Sequence, residues 1–461
     1  MKHLHFVGIG GIGMSALAAM CVESGYKVTG SDRGADRPEN RRILDALEKQ
    51  GIAIFPQDGS YIDAGKPDEL IFSTAIEEDN PDFAAGKNIL RTHRSALVER
   101  IIKERGAENS IAVCGSCGKS TVTAYCAETL ANLGENPECL NGALMKRFIN
   151  EKFAGNYAPG DRKFLVFEAD ESDKSLLNYS PEYAIILNIG TDHYSKEELA
   201  EVFAKFLKNV RKGAVLSRDV YEAVKNALPP ALEIRVFDAE KLPDSVNWIS
   251  SYAPGKAEFN GKEAVTLPQN GFHTALNALA IRTLLDMLGF SAEASLAALE
   301  KFSGVWRRND FAGNDINGAP VYDDYAHNPE KILACLKGMR ETVKGAVYAI
   351  FQPHGFKPFG FMKDELFNLL EPELRSCDRF ILLPPYYAGG TASFHPTAEE
   401  VLAEYRSKSS APERFTSFAD REELRKFLQQ TTTADDIVII MGARDNSLSD
   451  YAVSLCNTKK S

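Results

Sequence analysis

The sequence predicts an α/β protein of three domains, and three observations carry that prediction. The chain has 461 residues, enough for about three domains at roughly 100–200 residues each. Short apolar runs alternate with helical patterns, the grammar of βαβ units and a mostly parallel sheet. Fresh strand–loop–helix units start near Ser110 and near Gly313. The domains are therefore placed at residues 1–107, 108–312 and 313–461.

In the first unit, Phe6-Val7 reads as a strand entering a glycine loop, and Ser15 to Ser24 has helical spacing. Lys27-Val28-Thr29-Gly30 and Glu69-Leu70-Ile71-Phe72-Ser73 read as further strands. In the second unit, Ile111-Ala112-Val113 precedes another glycine loop and a helix over Thr121 to Leu133. Phe164 to Phe167 and Tyr183 to Leu187 are buried-strand candidates that end in polar residues, where chemistry collects in open α/β sheets. The third unit offers Pro320-Val321-Tyr322, Ala346 to Phe351, Arg379 to Leu383 and Ile437 to Met441 as strands.

Composition removes several classes. With 44% hydrophobic and 25% charged residues, the chain is neither disordered nor collagen-like. The net charge of −11 lacks the basic excess of a general nucleic-acid binder, so no nucleic-acid partner is expected. The eight cysteines are weak evidence for disulfides in a chain this long. No apolar run reaches about 18 residues, so no membrane association is expected. Lys2 and the apolar stretch after it imitate a signal peptide, but four glycines interrupt that stretch. The expected location is cytoplasmic.

Gly8-Ile9-Gly10-Gly11-Ile12-Gly13 fits G-x-G-x-x-G between a strand and a helix. The first glycine permits a tight turn, the second lets backbone approach a diphosphate, and the third lets the helix pack on the sheet. Asp32 follows where an acidic residue often meets a ribose hydroxyl. Taken alone, this loop reads as a nicotinamide dinucleotide site, and the rest of the chain must decide which diphosphate it holds.

Gly115-Ser116-Cys117-Gly118-Lys119-Ser120 is a shortened phosphate loop, since Val113 stands where the usual form has its first glycine. Backbone N–H groups at the start of a helix cradle phosphate oxygens. Lys119 would reach the β- and γ-phosphates, and the Ser120 hydroxyl would bind Mg²⁺. Cys114 and Cys117 also spell C-x-x-C, which leaves a redox alternative for the same loop.

Two phosphate loops in series are joined by Phe167-Glu168-Ala169-Asp170-Glu171-Ser172-Asp173, Asn188-Ile189-Gly190-Thr191-Asp192-His193 and Asp323-Asp324-Tyr325-Ala326-His327-Asn328-Pro329. As a set these resemble the Mur ligases, ATP-dependent amino acid ligases of peptidoglycan synthesis, over nearly the whole chain. The Gly-Ile-Gly-Gly-Ile-Gly-Met-Ser opening is most similar to the alanine-adding branch. The resemblance implies a Rossmann-like N-terminal domain, a P-loop-type central ATPase domain and a Rossmann-like C-terminal domain. It reassigns the first loop, with Gly8, Gly10, Gly11, Gly13, Asp32 and Arg94, to UDP-N-acetylmuramate. ATP is implied at Gly115, Ser116, Cys117, Gly118, Lys119, Ser120, Thr121, His273, Asn277, Arg308 and Asp324. Mg²⁺ is implied at Ser120, Glu168 and His193, although imidazole is an unusual ligand for that ion. Lys119, Arg308 and His327 are the implied catalytic residues, with His327 beside a free amino acid. A monomer or homodimer is expected.

The resemblance departs in small ways at Thr274, where Asn is usual, and at Asn309, where an aromatic is usual, and it breaks at the acceptor grip. The alanine-adding branch carries two arginines after a strand ending in Gln-Pro, and these grip the acceptor carboxylate. Here the stretch is Gln352-Pro353-His354-Gly355-Phe356-Lys357-Pro358, so Gly355 and Pro358 occupy those positions. Lys357 or Lys363 would substitute only as point charges. Three readings follow: a ligase using L-alanine, a ligase using another amino acid or a recycled peptide, and a non-catalytic nucleotide-binding relative.

Overall fold

A computed structural model describes residues 1–37, 40–106, 108–161, 163–190, 194–387 and 393–457. The chain forms two compact units, one of residues 1–268 and 273–306 and the other of residues 269–272 and 307–461. The fold is three-domain α/β, with two sheets in the first unit and one in the second.

The first sheet comprises β1 (His3–Val7), β2 (Lys27–Asp32), β3 (Ala53–Pro56), β4 (Glu69–Phe72) and β5 (Leu90–His93). Its order is β3-β2-β1-β4-β5 and every pairing is parallel. The chain reverses its direction of build at β1, so the loop after β1 opens at the crevice where such sheets bind ligands. The helix after it, Ile12–Glu23, buries Met14 through Cys21, and small residues let it lie close to the sheet.

The second sheet takes β6 (Asn109–Cys114), β7 (Glu138–Leu140), β8 (Tyr157–Ala158), β9 (Phe164–Glu168), β10 (Tyr183–Ile186), β11 (Gly213–Ser217) and β12 (Glu233–Asp238). It ends in a meander of β13 (Ser245–Ala253), β14 (Lys256–Phe259) and β15 (Glu263–Thr266). The order is β15-β14-β13-β12-β11-β10-β6-β9-β7-β8. Strand β6 lies between β10 and β9, parallel to both, and the residues from Ile111 to Cys114 are fully buried. An unbroken apolar run is what a central parallel strand covered on both faces requires.

The third sheet comprises β16 (Asp310–Asn314), β17 (Pro320–Asp324), β18 (Val347–Phe351), β19 (Arg379–Leu382), β20 (Phe415–Ser417) and β21 (Ile437–Met441). Its order is β16-β17-β21-β18-β19-β20, parallel except for β16. Strand β16 runs across the expected 312/313 boundary. Among the described residues, no helix is long and apolar enough to cross a membrane.

Candidate active site

The first loop is built as its glycines require. Gly8 has φ +76°, and its N–H donates to the Ser31 carbonyl at 2.8 Å. Asp32 clamps the turn from β2, accepting the Gly10 N–H and the Gly34 N–H, each at 2.8 Å. Both Asp32 oxygens thus shape the loop, a role that the reading of Asp32 as a ribose contact omits. A Cβ on Gly13 would lie 3.5 Å from an Arg94 guanidinium nitrogen, so Arg94 overhangs the helix that leaves this loop.

The second loop leaves β6 through Gly115 at φ +135° and enters the helix Lys119–Asn132 from Gly118 at φ +84°. That helix has no side-chain cap, which leaves its first N–H groups to an anion. Asn188, at the end of β10, splints the loop. Its side chain accepts the Cys117 N–H at 2.9 Å and donates to the Cys117 carbonyl at 3.0 Å. The Gly190 N–H donates to Ser116 Oγ at 2.7 Å. Sequence reasoning placed Asn188 in a motif without giving it this job.

Lys119 Nζ lies 2.8 Å from Glu171 Oε2 and 3.8 Å from Asp170 Oδ1, and it donates to the Gly115 carbonyl at 3.0 Å. Burial pulls this ammonium down, but the Glu171 and Asp170 charges outweigh it and raise its pKa, so Lys119 is charged. The acidic block after β9 therefore divides its work. Asp170 and Glu171 hold Lys119, while Asp173 lies 3.5 Å from Arg94. Glu168 turns elsewhere and accepts the Gly142 N–H at 2.8 Å.

One cavity of about 320 Å³ is lined from both sheets of the first unit. Gly11, Gly13 and Arg94 line it from the first loop's side, and Asn141, Glu168 and Asp170 from the second sheet. Asn141 is 2% exposed, and neither its amide nitrogen nor its oxygen finds a partner among the described residues. A buried amide that lines an open cavity with both its polar atoms unpaired is a candidate ligand contact. Sequence reasoning missed Asn141, because nothing local distinguishes it from an ordinary turn residue in Leu140-Asn141-Gly142.

A second cavity of about 390 Å³ is lined by His273, Leu276 and Asn277 from the helix Phe272–Met287, with Leu187, Asn188 and Phe237 opposite. A Cβ on Gly118 would lie 3.6 Å from Asn277 Oδ1, so this cavity adjoins the phosphate loop. Ser120 is buried and Thr121 half-buried at the start of the loop's helix. His193 lies outside the described residues. Among the described residues, no cluster of three or more His, Cys, Asp or Glu side chains forms a metal site. Cys114 is buried within β6 and Cys117 is exposed, and burial pushes the Cys114 thiol well above its ordinary range. No disulfide joins the described cysteines.

In the second unit the two adjacent arginines differ. Arg307 is 1% exposed and binds both Asp323 oxygens through Nε at 3.1 and 3.2 Å. Its other nitrogens donate to the Asp445 carbonyl at 3.0 Å and the Gly442 carbonyl at 2.7 Å. Arg308 is half-buried, with its guanidinium 5.2 Å from the Tyr325 ring centre. Asp324 accepts the Asn309 N–H at 2.6 Å and the Ala326 N–H at 2.8 Å. His327 Nδ1 pairs with the Tyr325 carbonyl at 3.0 Å, and its ring meets His354 edge-on at 5.3 Å. Burial, with His327 and Arg444 nearby, pulls His354 down to about 4, so it is neutral at physiological pH.

The expected lysine substitutes fare unequally. Lys363 is bound to Glu404 at 2.6 Å and to Asp364 at 3.3 Å, so it is not an open carboxylate ligand. Lys357 is exposed, 6.0 Å from the Phe361 ring centre. Gly355 has φ +149°, a conformation that opposes an arginine there.

Comparison with known proteins gives a consistent assignment. Residues 3–105 match the model described as Mur ligase family, catalytic domain. Residues 113–284 match the Mur ligase middle domain, and residues 307–444 match the Mur ligase, glutamate ligase domain. The UDP-N-acetylmuramate–L-alanine ligase of Agathobacter rectalis is 30% identical, over 96% of this chain and 95% of that protein. The ligase of the same name from Caulobacter vibrioides is also 30% identical, over 98% and 95%. The crystal structure of the UDP-N-acetylmuramate-alanine ligase of Thermotoga maritima superposes with a TM-score of 0.78 at 27% identity, covering 98% of each chain. A murein peptide ligase from Psychrobacter arcticus shares the fold, with a TM-score of 0.67 at 20% identity over 99% and 98% of the two chains.

Proposed function

The chain belongs to the Mur ligase family, and we propose that it is the ATP-dependent ligase joining UDP-N-acetylmuramate to L-alanine in peptidoglycan precursor synthesis. The observation that carries the ligase reading is the shared cavity. A glycine loop suited to a diphosphate, the Arg94 cation and the Glu168 carboxylate all face one space. The choice of L-alanine follows the full-length relatives.

The carboxylate of the sugar attacks the γ-phosphorus of ATP, and ADP leaves. The acceptor amine then attacks the acyl phosphate carbonyl, forming the amide and releasing phosphate. Such phosphoryl transfer needs positioning and charge neutralisation more than covalent help. We assign charge neutralisation to Lys119 and the cradle to Gly115, Ser116, Cys117, Gly118, Ser120 and Thr121. His273 and Asn277 take the adenine. Gly8, Gly10, Gly11 and Gly13 take the UDP diphosphate, with Asp32 shaping their loop and Arg94 near the sugar. From the second unit, Arg308 and Asp324 serve the nucleotide and His327 serves the acceptor. The domain limits are assigned as 1–107, 108–306 and 307–461, the second moved from 312/313 so that β16 stays whole, and the enzyme as a cytoplasmic monomer or homodimer.

The Ser120 hydroxyl and Glu168 carboxylate are hard oxygen donors, and they fit a Mg²⁺ that keeps waters and phosphate oxygens as its other ligands. When bound, that ion neutralises charge on the β- and γ-phosphates. The close packing of Gly142 on Glu168 gives a direct check. A Cβ on Gly142 would fall 2.4 Å from Glu168 Oε2, so Gly142→Ala must displace that carboxylate. The Mg²⁺ concentration for half-maximal turnover should rise by about tenfold or more. An unchanged Mg²⁺ titration would remove Glu168 from the ion's site.

The reading as a whole is tested by phosphate release from ATP in the presence of Mg²⁺. Release should require UDP-N-acetylmuramate and L-alanine together. Release that ignores either one, or no release from folded protein, contradicts it.

A further inference from the structure

Gly355 and Pro358 stand where the alanine-adding branch has its two arginines, and the second unit carries another arginine, Arg444, on a neighbouring loop. In the third sheet β21 lies between β17 and β18, parallel to both, with Met441 in register with Asp324 and Phe351. The loops leaving these three strands therefore open side by side at the carboxyl edge of the sheet, where open α/β folds hold ligands. The β17 loop brings His327, the β18 loop brings His354, and the β21 loop between them brings Arg444.

Arg444 is held in an unfavourable conformation. Its φ is +68°, a left-handed position that normally favours glycine. The surroundings enforce it from both sides. Arg307 binds the carbonyls of Gly442 and Asp445, which flank it. Arg421 holds the Asp445 carboxylate at 2.6 Å, and the Asp445 N–H donates to the Ala443 carbonyl at 2.9 Å. Strain maintained in this way collects at functional sites. The Arg444 side chain is exposed, and its guanidinium makes no hydrogen bond or ion pair among the described residues. Beside it, His354 is neutral and its Nδ1 is buried without a partner among the described residues. A guanidinium and a neutral imidazole acceptor on adjacent loops complement an amino acid zwitterion, the first matching its carboxylate and the second its ammonium.

We propose that Arg444 binds the α-carboxylate of the acceptor amino acid, in place of the arginines absent at positions 355 and 358. This rests on the ligase reading above. A planar fork on the β21 loop supplies the bidentate contact that Lys357 cannot. An acceptor with a carboxylate next to its amine is thereby favoured over its amide.

The test uses the full chain and three proteins: wild type, Arg444→Gly and Arg444→Lys. Glycine relaxes the left-handed position, so loss of fold should not obscure the result. Arg444→Gly should raise the KM for L-alanine about 10- to 100-fold, with the KM values for ATP and UDP-N-acetylmuramate within about twofold of wild type. It should also erase, by a similar factor, the wild-type preference for L-alanine over L-alaninamide. Arg444→Lys should recover part of both. An active wild type whose L-alanine KM and amide discrimination survive Arg444→Gly overturns the role of Arg444 alone. A wild type that forms no alanyl product overturns the ligase reading, and this proposal with it.

Discussion

Lys119→Ala should lower ATP turnover by about 10²- to 10³-fold while UDP-N-acetylmuramate still binds. The loss follows from geometry. Lys119 is the cation at the start of an uncapped helix, on a loop shaped by Gly115 and Gly118. Its substitution also leaves Glu171, 2% exposed, without its ammonium partner. A buried carboxylate in that position takes up a proton or repels nearby phosphate, and both effects oppose catalysis. The double variant Lys119→Ala/Glu171→Gln removes that second penalty. It should regain stability relative to Lys119→Ala but not turnover. Steady-state phosphate release and thermal unfolding separate the two effects. Turnover retained within about tenfold of wild type would contradict the phosphate-loop assignment.

The second large effect concerns the paired arginines. Arg307→Ala should destabilise the protein by about 3–5 kcal/mol, because it strands the buried Asp323 carboxylate and two buried carbonyls. The melting temperature should fall on the order of 10 °C. Arg308→Ala, which breaks no buried pair, should melt within a few degrees of wild type while losing turnover. Comparable melting losses in the two variants would contradict this division. Arg307 also fixes the carbonyls on both sides of Arg444, so its removal should weaken acceptor binding as well.

Much of the architecture was legible in the residues. Parallel central strands must be apolar on both faces, so Ile111 to Cys114 and Ile437 to Met441 announce themselves. Glycine loops are legible for a related reason, since positive φ and close approach leave few other choices at Gly8, Gly115 and Gly118. The meander β13–β15 was not read, because its half-polar strands carry no continuous apolar run.

The site was legible where chemistry demands a residue type, and illegible where it depends on distant neighbours. Lys119 is marked by its own loop, but its pairing with Glu171 spans 52 residues. Asn188 splints the phosphate loop across 71 residues. The distinction between Arg307 and Arg308 is set by the β17 and β21 ends, which nothing local encodes. Arg444 is the sharpest case. A left-handed position usually signals itself with glycine, and here an arginine stands in it, held by contacts from elsewhere in the unit.

In the proposed reaction the sugar carboxylate is phosphorylated before the amide forms. The most direct measurement supplies UDP-N-acetylmuramate with ¹⁸O in its carboxylate, together with ATP, Mg²⁺ and L-alanine, and weighs the released phosphate. An acyl phosphate predicts one ¹⁸O in each phosphate released and an alanyl product that retains one ¹⁸O. Phosphate without ¹⁸O, alongside formed product, would contradict the acyl-phosphate route.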